Sequence, residues 1–502
     1  LTIPRADAPT LLVKPGWRLR TGAAEGADTF PNRLWFGVGQ GGEGVATAGM
    51  AGLLMFFYNQ VLGLDPRLAG LAMLVSMVSD GVTDLLVGSW SDRLRHPWGR
   101  RHPLMYAAAV PFGLSFAALF LVPGGLGQTG LFLWLLAASF LCRNVGTFFI
   151  VPHYALGAEL SQDHHARTAI VAFRSFFAAA GRLLVFVAGV IIFTPSRGFK
   201  TGQLDPAHYP LYGLTLGVVI AVTSVLSAWG THGTIPHLPK PVAGERFSVA
   251  HAFRDMWRAA TNRAFQVFLG GFIVWVIGHA VYSTLMVYLS TYFWRLSSQQ
   301  VFLLPLVGGV ATLIGTPIWA VLARPLGKKA TFILAGVGFS GVMALLILSK
   351  VAGLFPAEGS ALYLAIVFGG TFAAGLFDAA PAVVAGSMLA DIADDYELQS
   401  GVRREGVLFG AINFSVKIAG GAGAFVGGVL IAAAGLKAKA DPASVPWSVS
   451  QHLAFTTVLV LVGFALAASL FYVIYPLTRS RHAGVQAALA ERRRVQGSTP
   501  PS

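Results

Sequence analysis

Charge is missing from run after run of about twenty residues in this chain, and that spacing dictates what it can become. Leu211–Gly230, Ala330–Ser349 and Ala454–Tyr475 each lack Asp, Glu, Lys and Arg. About 20 apolar residues is the length a helix needs to cross the hydrocarbon core of a bilayer. Of the 502 residues, 55% are hydrophobic and 12% charged, about half the roughly 25% charged share of a soluble domain. An ordinary soluble enzyme is excluded, and a polytopic membrane protein is implied.

Hydropathy predicts twelve spans, near 33–61, 67–91, 103–122, 130–158, 168–193, 211–231, 263–294, 300–323, 330–349, 360–392, 405–434 and 452–478. The fold class read from this is an all-α membrane protein of two six-helix bundles, residues 33–231 and 263–478, joined by a polar linker at 232–262. Residues 1–32 and 479–502 read as tails. The net charge of +14 raises the possibility of a nucleic-acid partner, but position argues otherwise. Of 36 Lys and Arg, 25 fall in the termini and even-numbered loops, 7 in odd-numbered loops and 4 inside spans. An excess of Lys and Arg marks the cytoplasmic side. The expected placement is therefore a multi-pass protein of the cell membrane with both termini cytoplasmic, surrounded by lipid, acting on a small molecule as a monomer and binding no nucleic acid.

The two halves echo one another. Gly88-Ser-Trp-Ser-Asp92-Arg93 runs on to Gly99-Arg100-Arg101, and the matching turn of the second half ends Gly327-Lys328-Lys329. Paired halves with a site near the midplane are a common plan of secondary transporters. No Gly-x-x-x-x-Gly-Lys-Ser/Thr phosphate loop occurs, which argues against ATP-driven transport, and no cofactor is implied. The single Cys142 excludes an intramolecular disulfide. Asp163-His164-His165 lacks a nearby third ligand at metal spacing, so a membrane-embedded enzyme built on it or on paired aspartates is the weaker alternative.

An ionisable residue at the centre of a membrane helix costs about 2.5–3.5 kcal/mol on the mildest scale, so each one needs a partner or a task. Asp80 and Asp84 stand four apart on one helix face with Thr83 beside them. Two carboxylates facing one cavity, with a hydroxyl, form a candidate site for Na⁺ or H⁺. Lys417, in a helix rich in glycine, is the candidate counter-ion that compensates them when the cation is absent. Arg143, Arg182 and Arg174 are cations expected to face the substrate. Glu43 lies among Gly39, Gly41, Gly42 and Gly44, a pattern that predicts an interrupted helix and a binding segment. Tyr154, after Pro152-His153, is a further candidate for substrate contact. Asp92, Arg100, Arg101, Asp391, Asp394, Asp395, Arg403 and Arg404 sit at helix ends and predict ion pairs that latch the cytoplasmic side.

These stretches resemble the glycoside-pentoside-hexuronide:cation symporters of the major facilitator superfamily, the melibiose-carrier type. The resemblance runs over about 33–478. It is carried by Phe56-Phe-Tyr-Asn, Ser79-Asp80-Gly-Val-Thr83-Asp84, Ser91-Asp92-Arg-Leu-Arg, Val151-Pro-His-Tyr154, Ala390-Asp-Ile-Ala-Asp-Asp-Tyr-Glu397, Gly401-Val-Arg-Arg and Phe414-Ser-Val-Lys417. It implies cation-coupled symport by alternating access, with Asp80, Thr83 and Asp84 at the cation site, Lys417 as the family's helix-eleven lysine, and Arg174 and Tyr154 beside the sugar. Two sugar-binding acids of melibiose carriers are replaced, at Glu43-Gly44 and near Ile150. Together with Arg143 and Arg182, that departure favours a hexuronide or other anionic glycoside. A lysolipid-like substrate, as in a related branch, is the alternative.

Overall fold

The computed structural model describes residues 28–161, 163–196, 198–238, 254, 261–401 and 405–498. Twelve long helices follow in chain order: α1 (Phe30–Leu62), α2 (Pro66–Arg93), α3 (His102–Ala118), α4 (Gln128–Glu159), α5 (His164–Ile192), α6 (His208–Gly230), α7 (Arg263–Phe293), α8 (Ser298–Leu326), α9 (Lys328–Val351), α10 (Ala361–Ser400), α11 (Glu405–Ala433) and α12 (Trp447–Val473). Among the described residues eleven are long and apolar enough to cross a membrane. The remaining one, α3, is shorter than expected at 17 residues, still at the lower limit of about 17 for a spanning helix. Twelve traverses put the start of α1 and the end of α12 on one face, here the terminal face, opposite the far face. Most of the expected linker, and Arg403 and Arg404, lie outside the described residues. Beyond α12, where a tail was expected, Arg479–Ser498 forms a further helix, α13.

Glycine sets the packing within the halves. The glycines around Glu43 do not interrupt α1, which is helical from Phe30 to Met50. They are contact points: a Cβ on Gly44 would strike the carbonyl of Ala178, and one on Gly181 of α5 would strike that of Gly41. Small residues let membrane helices approach to backbone contact, where dispersion and weak polar contacts do the work that hydrophobicity cannot do in lipid. The actual break in α1 comes later, at Gly52, whose φ of 68° ends the first segment.

Glycine also sets the place of α11. Gly420, Gly421 and Gly428 approach Met77, Leu74 and Pro66 of α2, whereas Gly423 and Gly427 approach Ala280 and Thr284 of α7. The helix, part of the second half, is thereby wedged between α2 of the first half and α7 of its own.

The halves close on each other at the far face. Both α1 and α7 end in π-helical segments, Phe57–Leu62 and Leu289–Phe293, at matching places in the two halves. Tyr288 donates to Asn59 Oδ1 at 3.1 Å and Tyr292 to Gln60 Oε1 at 2.8 Å. Gln203 donates to Thr291 at 3.1 Å, and Phe193 stacks on Phe302 with ring centroids 4.8 Å apart. Nearby, Lys350 turns inward, donating to the Phe293 carbonyl at 2.6 Å, Tyr363 at 2.7 Å and Glu358 at 2.9 Å. Its ammonium lies 5.0–5.6 Å from the rings of Phe293, Trp294, Tyr363 and Trp447, within cation–π range.

The following ion pairs at the terminal face, among the described residues, each stay on one side of the interface. Arg101 reaches Asp92 at 2.5 Å and Glu159 at 2.7 Å, and Arg100 also reaches Glu159 at 2.7 Å. Lys328 meets Asp391 at 2.6 Å, and His482 of α13 lies 3.2 Å from Asp394. Asp395 accepts from Asn262 at 2.9 Å, which ties α10 to the start of α7. These acids sit on α10 itself, which runs to Ser400, well past the predicted end near 392, because no residue stops it before Gly401 at φ 78°.

Gly181→Val should lower stability by about 1–3 kcal/mol through overpacking against α1, read as earlier thermal unfolding in detergent. Gly341→Ala, inside α9 with nothing within 4 Å of the added carbon, should hold or slightly raise the midpoint.

Candidate functional site

Near the middle of α2, Ser76, Asp80 and Asp84 recur every four residues and so share one face. That face meets α4 and α11. Lys417 Nζ lies 2.6 Å from Asp84 Oδ2 and 2.9 Å from Asp80 Oδ2. Thr147 Oγ1 is 2.8 Å from Asp80 Oδ1 and 3.0 Å from Asp84 Oδ1. A hydroxyl has one proton to give, so Thr147 serves the two acids in turn and leaves one lone pair short of a donor.

Arg143 stands one turn before Thr147 on α4, with Nη1 4.0 Å from Asp80 Oδ2. Two carboxylates and two cations thus make a cluster of balanced formal charge, with the ammonium of Lys417 between the two acids. Thr83 bonds to Asn144 Oδ1, and Asn144 donates to the Phe140 carbonyl at 2.6 Å and to Ser79 at 3.3 Å. Among the described residues only Thr147 brings a further oxygen to Asp80 and Asp84; the Thr83 hydroxyl turns instead to Asn144 and to the Ser79 carbonyl, at 2.9 Å from the latter.

A second group of polar residues lines a cavity of about 210 Å³ between α1, α4 and α5, including Gln40, Glu43, Tyr154, Arg174 and Arg182. The Tyr154 hydroxyl lies 2.7 Å from both Glu43 oxygens, and the Arg174 guanidinium stacks over the Tyr154 ring at 5.0 Å. Gln40 is 3% exposed; its amide donates to Tyr154 at 3.3 Å, and its Oε1 is buried with no partner. Among the described residues neither Arg174 nor Arg182 has a carboxylate within 4.0 Å. Two cations against one acid leave this cavity positive, lined with both donors and acceptors.

Four of the five expected substrate residues come together here: Glu43, Tyr154, Arg174 and Arg182. Arg143 does not; its charge is directed at Asp80, because the α4 face carrying Arg143 and Thr147 turns toward α2. His153 is a packing residue, stacked on Phe36 with centroids 4.3 Å apart and bonded to the Phe36 carbonyl at 2.9 Å. Asp163 caps α5 by accepting from Ala166 N at 2.8 Å.

Thr147, Gln40 and Glu159 were not singled out in the sequence. The i, i+4 spacing from Arg143 was the available signal for Thr147. Across the interface, a larger and mostly apolar cavity of about 420 Å³ shares Thr47 and Arg182 with the first. In it His279 Nδ1 lies 3.5 Å from Asp378 Oδ1.

Two helical bundles of this arrangement, with charged residues clustered where they meet, have the architecture of the major facilitator class. The family model described as MFS/sugar transport protein matches residues 35–479, and the chain belongs to that family. It is 24% identical to the uncharacterized symporter sll1374 of Synechocystis, over 92% of this chain and 97% of that one. It is likewise 24% identical to the isoprimeverose transporter of Lactiplantibacillus pentosus, over 84% of this chain and 83% of that one. Among solved structures, a bacterial homologue of the human lysosomal transporter Spinster, inward-facing and unoccupied, superposes with a TM-score of 0.64 at 12% identity, covering 90% of this chain and 100% of that one.

Removing Lys417 leaves two carboxylates facing each other. Lys417→Met should therefore destabilise the protein by about 3 kcal/mol in cation-poor buffer, as loss of one partner of a buried pair does. Thermal unfolding across Na⁺ concentration and pH should show the loss recovered as the coupling ion is added.

Proposed function

We propose that the protein is a cation-coupled symporter of the cell membrane, with both termini in the cytoplasm, that carries an anionic glycoside such as a hexuronide by alternating access. The observation that carries the coupling is the position of Lys417. It belongs to the second half and fills the two-carboxylate site of the first. A cation entering between Asp80 and Asp84 competes with the ammonium, frees α11 from α2, and so biases the arrangement of the halves. Binding energy that differs between two arrangements is what shifts their populations.

Substrate is held beside this site. Arg182 and Arg174 take the carboxylate, Glu43 and Gln40 accept from sugar hydroxyls, and Tyr154 lies against the ring. Relatives named as a symporter and as an isoprimeverose transporter support a sugar-like cargo moved with an ion. One monovalent cation moving down 100 mV supplies about 2.3 kcal/mol, enough for about fifty-fold accumulation. The closed far face and the pairing of terminal-face charges within halves correspond to a form open to the cytoplasm. In the opposite form the residues around Asp92, Arg100, Arg101, Asp391, Asp394 and Asp395 meet across the interface as the gate. A second reading, an amphipathic anion such as a lysolipid, is favoured by the apolar cavity that continues from Arg182.

Uptake into proteoliposomes under imposed Na⁺ or H⁺ gradients, screened over neutral glycosides, uronides and lysolipids, tests both readings. Gradient-driven uptake of a uronide is expected in the wild type and its loss in Asp84→Asn. Full uptake by that variant overturns the coupling. Arg182→Gln should weaken uronide transport roughly tenfold, the cost of a lost charge-assisted bond, and spare a neutral glycoside. Arg143→Gln should shift the cation dependence rather than substrate affinity.

A further inference from the structure

On the terminal face of the second half, away from both cavities, the ends of α8, α9, α10, α12 and α13 enclose a recess of about 780 Å³, within the range of about 300–1,000 Å³ typical of small-molecule sites. Arg324, Lys328, Lys329 and Arg479 line it, with His482, against the single carboxylate of Asp391. That carboxylate is occupied: Lys328 holds it at 2.6 Å, and His482 Nε2 lies 3.5 Å from its other oxygen. Among the described residues Arg324 and Arg479 have no carboxylate within 4.0 Å. Both are exposed at the recess.

A second observation points to a ligand. Tyr475 lines the recess, is 5% exposed, and its hydroxyl has no hydrogen-bond partner. A buried hydroxyl without a partner costs about 1–3 kcal/mol unless something supplies one. The turn that joins α8 to α9 at Gly327, with φ 81°, directs the N-terminal amides of α9 to the same place. Anions gather where helix N-termini and basic side chains coincide.

The surroundings identify the source of the anion. On the outer surface of α8, Ile318, Val321, Leu322 and Leu326 are exposed, as are Val473 and Ile474 at the end of α12. Of these, Leu326 lines the recess itself, and the others lie within two turns of its lining residues Arg324 and Tyr475 on the same chain segments. Basic pockets between helix ends at a membrane face are suited to anionic lipid headgroups.

We propose that this recess binds the phosphate of an anionic phospholipid. Arg324 and Arg479 pair with the phosphate oxygens, Tyr475 donates to one of them, and the acyl chains lie along the exposed apolar side of α8. Because Arg479 and His482 belong to α13, the lipid fastens that helix onto the end of the second half.

The full chain, purified in a neutral detergent, is titrated with phosphatidylglycerol, with phosphatidylcholine and with inorganic phosphate, and binding is read by native mass spectrometry and by the shift in thermal unfolding. Phosphatidylglycerol should bind and raise the midpoint, and phosphatidylcholine should not. The double variant Arg324→Gln/Arg479→Gln should bind phosphatidylglycerol at least roughly tenfold more weakly. Tyr475→Phe, which keeps the packing, should also weaken it. Arg95→Gln, at the other half's terminal face, should leave it unchanged. Equal binding of both lipids, or unaltered binding by the double variant, overturns the proposal. Inorganic phosphate that reproduces the shift and displaces the lipid assigns the recess to a soluble phosphate and overturns the lipid assignment.

Discussion

A charge inside a membrane must be answered by another, and in this protein the answer comes from the opposite half of the molecule. Asp80 and Asp84 on α2 carry two negative charges that α2 cannot neutralise. Lys417 reaches them at 2.9 and 2.6 Å from α11, and Arg143 adds a longer-range contribution at 4.0 Å. In low dielectric such attractions are strong, and an unpaired member is correspondingly costly. The packing of α11 against α2 and the closeness of the two halves at that point both depend on this one cluster.

Glycine makes that electrostatic contact geometrically possible. A lysine side chain reaches two carboxylates only if the backbones that carry them come close. Gly420, Gly421 and Gly428 remove the side chains that would hold α11 away from α2. The same device brings α1 onto α5 at Gly44 and Gly181, placing Glu43 opposite Arg174, Arg182 and Tyr154. The polar cavity and the carboxylate cluster then both draw on α4, which contributes Tyr154 to one and Thr147 to the other. A movement of α4 relative to α2 is felt at both.

Individual residues show how far the sequence could be read. Asp80, Asp84 and Lys417 were legible because charges in apolar helices are rare and i, i+4 spacing fixes a shared face. Arg174 and Tyr154 were marked by family resemblance. Arg143 was expected beside the substrate; that it faces Asp80 instead of lining the cavity could not be read, because its charge was visible while the rotation of α4 was not. The glycines around Glu43 were taken as a break, but helix packing and helix breaking leave the same composition, and only the neighbouring α5 decides between them. Gln40 and Thr147 are uncharged and common, so nothing in the chain distinguishes them until their neighbours are in place. Lys350 was counted among loop cations; its aromatic surroundings come from three separate segments.

By itself, then, the sequence determined the class of the protein: the number of traverses, the doubling of the bundle, the family, and the few charged residues that must be accounted for within the membrane. These depend on local hydropathy and spacing, which a chain carries wherever it folds. The tertiary structure alone decided which charges meet. Pairing of Lys417 with Asp84 joins residues 333 positions apart, and Arg143 turns to Asp80 rather than to the cavity lined by Glu43 and Arg182. Helix rotation and inter-bundle contact set such distances to within an ångström, and no local pattern encodes them.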